Sequence, residues 1–544
     1  MERVTRSIVG GEDMEGPGRI VTVSPATEEV LAEVPALDED GARRAVEAAR
    51  EAFPAWAATP PRKRQRLLRR WLELMVEEGG ELARLVAEEG GKPVAEAHLV
   101  DVFPACETLA YYAENLDELL AFQPVQPHQL LFRGWRAGYR FDPLGVVAVV
   151  TPWNYPVGIP VCELVQALGA GNTVVFKPAS ATVLVGLTLA DMARRAGFPP
   201  GVLNAVALPG AATDALLDHP DIAKVLFTGS VDVGRHVARR CAERLAPCVL
   251  ELGGKDAAVV AEDAPLERTA RGLVWGAFMN SGQTCASIER VYVVRSIAHR
   301  LLERIVELTR RIRVGDPLEP DTDMGPLTTP SQRDTVARQV EAALEAGARA
   351  LTGGTRPEGR GYFYPPTVLV DVDEEMEVMR EETFGPVMPV VVVEDLDEAV
   401  RRANASRFGL TASGWTASRR TAQRLQRELR AGVVSINEHA VPFAEPTGSW
   451  GGVGESGIGR THGRFGLYEL VNVKYVVHDP GRGEAAPWHY PYDGDFGRFM
   501  EHALPALYGR GSEKVQALLA LAATRRFIER VPKTTVLANL DALL

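Results

Sequence analysis

Residues 146–177 read VVAVVTPWNYPVGIPVCELVQALGAGNTVVFK. A β-branched run (Val146–Val150), a turn bounded by prolines, a helical stretch near Val161–Leu168 and a second β-branched run (Thr173–Phe176) follow in immediate succession. The alternation continues downstream with a helix near Leu184–Ala196, strands at Val202–Val206 and Lys224–Thr228, a helix near Val233–Glu243 and a strand at Val249–Glu251. Strands alternating with amphipathic helices predict βαβ units and a mainly parallel sheet, so the expected class is α/β. A second α/β stretch covers roughly residues 255–445, with strands near Ala257–Val260, Val291–Val294, Val387–Val393 and Val433–Asn437. Upstream, residues 38–120 read as helices. Ala45, Ala49 and Phe53 share a face of a helix near Asp40–Phe53, and Leu68, Leu72 and Met75 share a face of another that starts about Pro61. His128–Arg140 alternates apolar and polar residues around a glycine and reads as a projecting hairpin.

The chain has 544 residues and a formal net charge of −12, with 46% hydrophobic and 24% charged residues. Such a length buries a large core without disulfides or metals, and the acidic balance argues against a general nucleic-acid-binding role. The five cysteines (Cys106, Cys162, Cys241, Cys248 and Cys285) show no C-x-x-C spacing, so reduced thiols in a cytoplasmic protein are expected. Met1–Gly10 lacks the apolar stretch of a secretory signal. The longest apolar run near the C-terminus, Ala517–Ala523, is far below the roughly 20 residues that span a bilayer, so no membrane span is expected. After about Tyr475 the composition shifts to Pro, Gly and aromatics, with helix-like stretches near Phe496–Leu507 and Glu513–Arg530; 478–544 reads as a C-terminal extension.

Three local patterns point to chemistry. Cys285 closes FMNSGQTC (Phe278–Cys285), where glycine and small polar residues predict a tight loop that exposes a thiol among backbone N–H groups. Such surroundings lower a thiol pKa and favour the nucleophilic thiolate. The other four cysteines sit in helix- or strand-like apolar contexts and read as small buried hydrophobes. Glu251, in LELGGK (Leu250–Lys255), ends a buried strand at the carboxyl edge of a parallel sheet, where open α/β sheets place their sites. Burial would raise its pKa towards that of a general base; the alternative is a solvated turn residue. Asn154 lies between two prolines in TPWNYP, placed to donate to an oxyanion or to serve ordinary turn chemistry.

For a dinucleotide, Gly452–Gly457 (GVGESG) fits G-x-G-x-x-G but lacks a preceding strand and a following helix, and is rejected. Phe227–Gly234 (FTGSVDVG) does leave a strand and open a helix, so its N–H groups and dipole suit a pyrophosphate, although such turns also occur without a ligand. There is no H-E-x-x-H, no P-loop and no ligand-spaced histidine, so neither metal catalysis nor nucleotide hydrolysis has support, and no metal is expected.

In this order, TPWNYP (Thr151–Pro156), GNTVVFKPAS (Gly171–Ser180), FTGSVDVG, ELGGK (Glu251–Lys255), FMNSGQTC, EETFGPV (Glu381–Val387) and GGVGESGIGR (Gly451–Arg460) resemble the aldehyde dehydrogenase superfamily across roughly residues 20–475. The resemblance implies an NAD(P)-dependent oxidation of an aldehyde to a carboxylic acid through a thiohemiacetal and a thioester. It makes Cys285 the nucleophile, Glu251 the base for the deacylating water, and Asn154, with the Cys285 N–H, the oxyanion hole. Lys177 and Glu382 match positions that hold the cofactor riboses, Phe384 packs near the nicotinamide ribose, and Trp153, Gly229, Ser230 and Leu252 match other cofactor contacts. Glu251 favours a hydrolytic member over one passing its acyl group to coenzyme A. Ser180 stands where many NAD-preferring relatives carry Glu, so NADP is expected to be accepted beside NAD.

The implied layout is a Rossmann-like NAD(P)-binding domain (1–127 and 142–253), an α/β catalytic domain (254–446), a small β oligomerisation or bridging element (128–141 and 447–477) and the extension 478–544. A homo-oligomer, dimer or tetramer, is implied, with the extension as an arm whose stripe is Val515, Leu518, Leu519, Ala522 and Phe527. Tyr155, Thr284, Phe443 and Trp450 are candidate tunnel-lining residues, apolar or mildly polar, which suits a broad range of uncharged aldehydes. The alternatives are a semialdehyde dehydrogenase of an amino-acid pathway, which needs a carboxylate clamp, an esterase-like activity at the same thiol, and an inactive binding protein on the same fold.

Overall fold

The computed structural model describes residues 3–129, 132, 134–480, 486, 488–490, 492 and 494–522. The chain divides into two compact units, Met1–Leu119 with Pro143–Val471, and Leu120–Asp142 with Asn472–Leu544.

The larger unit holds two sheets. The first has eight strands in the order Gly457–Ile458, Cys248–Glu251, Ile222–Thr228, Val146–Val150, Thr173–Lys177, Leu203–Ala205, Ser7–Val9, Glu12–Met14. Its interior is parallel, as the alternation predicts. Val150 pairs with Lys177 and with Phe227, and Thr228 with Glu251, so four strand ends reach one carboxyl edge together. The outer strands are antiparallel. They are only two or three residues long, too short to leave a periodic signal.

The helix Gly158–Ala170 is buried at every residue, hence its nearly unbroken apolar sequence, and it ends at Gly171 with φ of 97°. A Cβ at Gly171 would lie 2.9 Å from the Arg64 guanidinium and from Pro143. The helix Val231–Glu243 springs from the end of Ile222–Thr228, with Ser230 in the N-cap position.

The second sheet runs Arg349–Thr352, Thr367–Val370, Val387–Val393, Ile288–Val294, Asp256–Val260, Thr411–Trp415, Val433–Ile436. The step from one sheet to the other falls between Glu251 and Asp256. Thr411–Trp415 pairs with Asp256–Val260 and Val433–Ile436, although its sequence, TASGW, mixes small and polar residues. Its strand character comes from neighbours on both sides. Trp415 is fully buried, and a Cβ on Gly272 would sit 2.2 Å from its ring.

The helices upstream obey local rules. The Asp38 side chain accepts from Gly41 N at the start of Glu39–Ala57. Pro61 opens Pro61–Gly90, which stops at Gly91 with φ of 83°. A π-helical turn, His98–Val102, then joins Val94–Ala97 to Phe103–Leu119.

The smaller unit contains a three-stranded antiparallel sheet, Gln123–Val125, Arg136–Pro143 and Val471–His478, within which Lys474 pairs with Asp142. The first two strands form a hairpin, but its first strand, Gln123–Val125, lies upstream of the expected His128–Arg140, most of which is the connection; Leu130, Leu131 and Arg133 lie outside the described residues. Helices Gly494–Tyr508 and Gly511–Ala522 pack on each other, and Phe527 of the expected stripe also lies outside the described residues. Among the described residues no helix is long and apolar enough to cross a membrane.

Candidate active site

The loop before Cys285 is held in a costly backbone shape. Asn280 and Ser281 have φ of 53° and 55°, and Gly282 follows at 72°. A non-glycine residue held there costs on the order of 1–3 kcal/mol and persists only when its surroundings over-determine it. Here they do. Asn280 Nδ2 donates to the carbonyls of Asn154 (2.9 Å) and Gln283 (3.1 Å), and Asn280 N donates to Glu96. Ser281 Oγ donates to Gly325 O at 2.8 Å, and Thr328 N donates to Gln283 Oε1 at 2.9 Å. A Cβ at Gly282 would meet Gly385 O at 2.0 Å.

The tight loop is therefore present, but its expected effect on the thiol is not. Cys285 is only partly exposed, and burial pushes its thiol pKa up, with the Asp256, Glu382 and Glu251 carboxylates adding to the rise. The backbone contribution from Ala286 that favours the thiolate is smaller. Loss of water and three acidic neighbours outweigh the loop amides.

Glu251 closes its strand at 6% exposure. Burial drives its carboxyl well above the usual range, and the nearby Glu163 carboxylate adds to this. Neither Glu251 oxygen has a hydrogen-bond partner, which rules out the solvated turn. Asn154 is buried, and its Nδ2 donates to Gln283 O at 3.0 Å, which uses one amide hydrogen and leaves the other. Its carbonyl accepts from Lys92 Nζ at 3.0 Å. Lys92 pairs with buried Asp101, whose Oδ1 accepts from Val157 N and Gly158 N at the start of helix Gly158–Ala170.

Two cavities converge on Cys285. The first, about 260 Å³, is lined by Trp153, Asn154, Gly229, Ser230, Glu251, Leu252, Glu382 and Phe384, together with Gln332 and Thr335. Trp153 and Phe384 meet edge to face at 5.5 Å. Phe384 (φ 51°) is held by the Glu289 carboxylate, which accepts from Thr383 N and Phe384 N at 2.8 and 2.9 Å. Glu382 accepts from Gly254 N at 3.1 Å, and burial pushes its carboxyl up to about 8.

The cleft's shape suits a dinucleotide. A Cβ on Gly229 would meet the Phe227 ring at 2.6 Å, and one on Gly253 would lie 2.3 Å from Glu382 Oε2, so only glycine leaves the walls open. The Ser230 side chain makes no capping bond, which leaves first-turn N–H groups of Val231–Glu243 for an anion. Lys177 ends the adjoining strand Thr173–Lys177 and Ser180 opens the short helical turn Ser180–Thr182 that follows it, both outside this cleft's described lining. Burial lowers the Lys177 pKa to about 8.

The second cavity, about 310 Å³, brings together all four candidate tunnel residues, Tyr155, Thr284, Phe443 and Trp450. Leu99, Val100 and Phe103 from the π-turn region and Trp275 and Met279 add to its wall, and among the described residues no Asp, Glu, Lys or Arg lines it. Tyr155 OH and Thr284 Oγ1 lie 2.7 Å apart. Sequence reasoning missed the Leu99–Phe103 wall, because Leu99, Val100 and Phe103 read only as an apolar face of a helical stretch; their exposure is known from the fold alone. Gln332 and Thr335 had no signal, because helix Pro330–Glu345 reads as an ordinary surface helix. A larger cavity, about 890 Å³, lies elsewhere among paired charges such as Arg402–Glu398 and Arg407–Glu381, and no cysteine or histidine is among its described lining residues. Among the described residues there is no cluster of His, Cys, Asp or Glu fit to hold a metal.

A loop-borne cysteine between an open glycine-walled cleft and an apolar tunnel defines an α/β enzyme site built for a thiol. Known proteins give that class its family. The family model of the aldehyde dehydrogenase family matches residues 13–476. Among solved structures, an NADP-dependent enzyme from E. coli is 34% identical with a TM-score of 0.84, covering 87% of this chain and 98% of that one. An aldehyde dehydrogenase from Bacillus cereus in complex with NAD+ is 35% identical with a TM-score of 0.84, covering 88% and 97%. An aldehyde dehydrogenase from Mycobacterium tuberculosis complexed with NAD+ is 33% identical, also at 0.84, covering 88% and 98%. The chain belongs to the aldehyde dehydrogenase family, and with it to the oxidoreductases that oxidise aldehydes.

Proposed function

We propose that this protein oxidises uncharged, predominantly apolar aldehydes to carboxylic acids with NAD or NADP, through a thioester on Cys285. The observation that carries this reading is the meeting of two unlike cavities at Cys285, with the unpartnered carboxylate of Glu251 beside them. The aldehyde enters through the apolar tunnel. Cys285 Sγ attacks its carbonyl carbon while the thiol proton passes to Glu251, whose raised proton affinity suits it to accept. The free hydrogen on Asn154 Nδ2 and the Cys285 N–H then hold the thiohemiacetal oxyanion. Trp153, Gly229, Ser230, Leu252, Glu382 and Phe384 would hold the dinucleotide, with Lys177 and Ser180 reached by its ribose end. Bound there, the nicotinamide supplies the hydride acceptor that turns the thiohemiacetal into a thioester. Glu251, deprotonated again, takes a proton from water, and the water oxygen attacks the thioester to release the acid.

Ser180 places no carboxylate against a 2′-phosphate, which supports use of NADP beside NAD. Among the described residues no cation lines the tunnel, which argues against a semialdehyde that carries its own carboxylate. For oligomerisation, the exposed Val473, Tyr475 and Val477 on strand Val471–His478 support an edge that meets another subunit. The deciding experiment follows NAD(P)H formation with hexanal, benzaldehyde and succinic semialdehyde on the wild type and on Cys285→Ala. Turnover of the first two that disappears in the variant is expected; turnover that persists in Cys285→Ala would overturn the thioester reading.

A further inference from the structure

Between Glu251 and Cys285 lies a third, much smaller cavity of about 20 Å³, room for a single water, lined also by Glu163, Thr228 and His462. Glu163 comes from the fully buried helix Gly158–Ala170 and is 2% exposed. Its Oε1 accepts from Thr228 Oγ1 at 2.6 Å, while its Oε2, like both oxygens of Glu251, is buried without a partner. Three orphaned carboxylate oxygens thus belong to residues lining one water-sized space. Two carboxylates that line one dehydrated space resist ionising together, which favours one proton being kept by the pair. Thr228 is half-buried and lines both this cavity and the cofactor-side cleft. Its hydroxyl connects the two.

Resting on the reading of Glu251 as the deacylation base, we propose that Glu163 is its proton partner, and that the proton leaves through Thr228 into the cofactor-side cleft. Water gives its proton to Glu251 as its oxygen bonds to the thioester carbon and the C–S bond breaks. Glu251 passes that proton to Glu163, directly or across the single water of the cavity. Once Glu163 is protonated, the Thr228 hydroxyl turns from donating to Glu163 Oε1 to accepting from it, and as it takes the Glu163 proton it gives its own to water in the cleft. No oxidant or further reactant is needed. Glu251 also borders the cofactor-side cleft, but both its carboxylate oxygens are buried, and among the described residues the aldehyde tunnel adds no ionisable side chain beyond Cys285 and Tyr155, so Glu163 and Thr228 give its proton a covered way out.

The other groups around Glu251 are Arg460, which favours its charged form, and Glu469, which opposes it. Glu469 is engaged with Lys224. The Cys162 and Cys285 thiols are held protonated by burial, and burial lowers His462 to about 4, so it stays neutral at working pH. Glu163 itself is pushed up to about 8 by burial, against the Thr228 hydrogen bond.

Rapid-mixing kinetics on the full chain test this, with hexanal and NAD+, on Glu163→Gln, Glu163→Asp, Thr228→Val and Glu251→Gln. The burst of NADH formation reports acylation, and the steady state reports deacylation. In Glu163→Gln the burst persists while deacylation slows by on the order of tenfold to a hundredfold. Removal of the neighbouring negative charge also moves the acidic limb of kcat to lower pH by about one unit. Glu163→Asp keeps the carboxylate and recovers most of the rate, and Thr228→Val slows deacylation without moving the limb. A Glu163→Gln enzyme with wild-type deacylation and a wild-type pH profile would overturn the proposal. If Glu251→Gln also deacylates normally, the base assignment fails with it; if Glu251→Gln is blocked, only the relay fails. Unchanged melting temperature and NAD+ binding in each variant separate these outcomes from misfolding.

Discussion

The two cavities that meet at Cys285 are of similar size, about 310 and 260 Å³, and opposite in character. The apolar cavity is walled by aromatic and aliphatic side chains from four separate stretches, Leu99–Pro104, Tyr155–Ile159, Trp275–Ala286 and Ala440–Trp450. The glycine-walled cleft is built from strand ends, two glycines, a helix start and a buried glutamate. The difference teaches where selectivity lies. An apolar wall discriminates weakly, by shape and lost contact, whereas a wall of fixed donors and carboxylates discriminates strongly, because a wrong group leaves a polar atom unpaired.

Several substitutions would break or sharpen this contrast. Cys285→Ala removes the atom at which both sides act, so aldehyde oxidation should vanish while NAD+ binding, followed by calorimetry, persists; loss of binding as well would mean the two sides are not separable. Asn154→Ala should lower kcat on the order of 10²–10³-fold with little change in KM, since the donor is used mainly on the oxyanion; a pure KM effect would reassign it to substrate binding. On the apolar side, Phe443→Arg should move the hexanal-to-succinic-semialdehyde preference by about 10–200-fold towards the charged substrate. An unmoved ratio in steady-state assays would show that this wall does not choose the substrate. On the polar side, Ser180→Glu should cost NADP about tenfold in kcat/KM and leave NAD nearly unchanged, through repulsion of the 2′-phosphate.

The smallest expected effect comes from pH. Lys177 is cationic below about 8 and neutral above it. The KM for NADP should therefore rise as pH passes 8, by less than about tenfold, while that for NAD rises less. Equal slopes for the two cofactors would remove Lys177 from the phosphate end.

The legibility of the site follows the same division. Glu251, Gly229, Ser230 and Cys285 were readable because a buried apolar strand followed by glycine announces itself locally, and the parallel register carries each such end to the same edge. The tunnel wall was readable only in part. Tyr155 and Thr284 lie beside motifs, whereas Leu99, Phe103 and Trp275 lie in helices whose sequence says only that some face is apolar. The strand Thr411–Trp415 escaped notice because its partners, and not its own residues, make it a strand.

By itself the sequence determined the α/β alternation, the strand ends that carry the glycine turns, the loop that presents Cys285 and the family these motifs belong to, since each is encoded within a dozen neighbouring residues. Only the tertiary structure decided the sign of the Cys285 shift, the isolation of the Glu251 carboxylate, the approach of Glu163 and Thr228, and the uncharged character of the tunnel's described lining. Those properties depend on which distant segments exclude water from a group and which charges they bring to it, and dehydration is a sum over neighbours in space that no local stretch of chain contains.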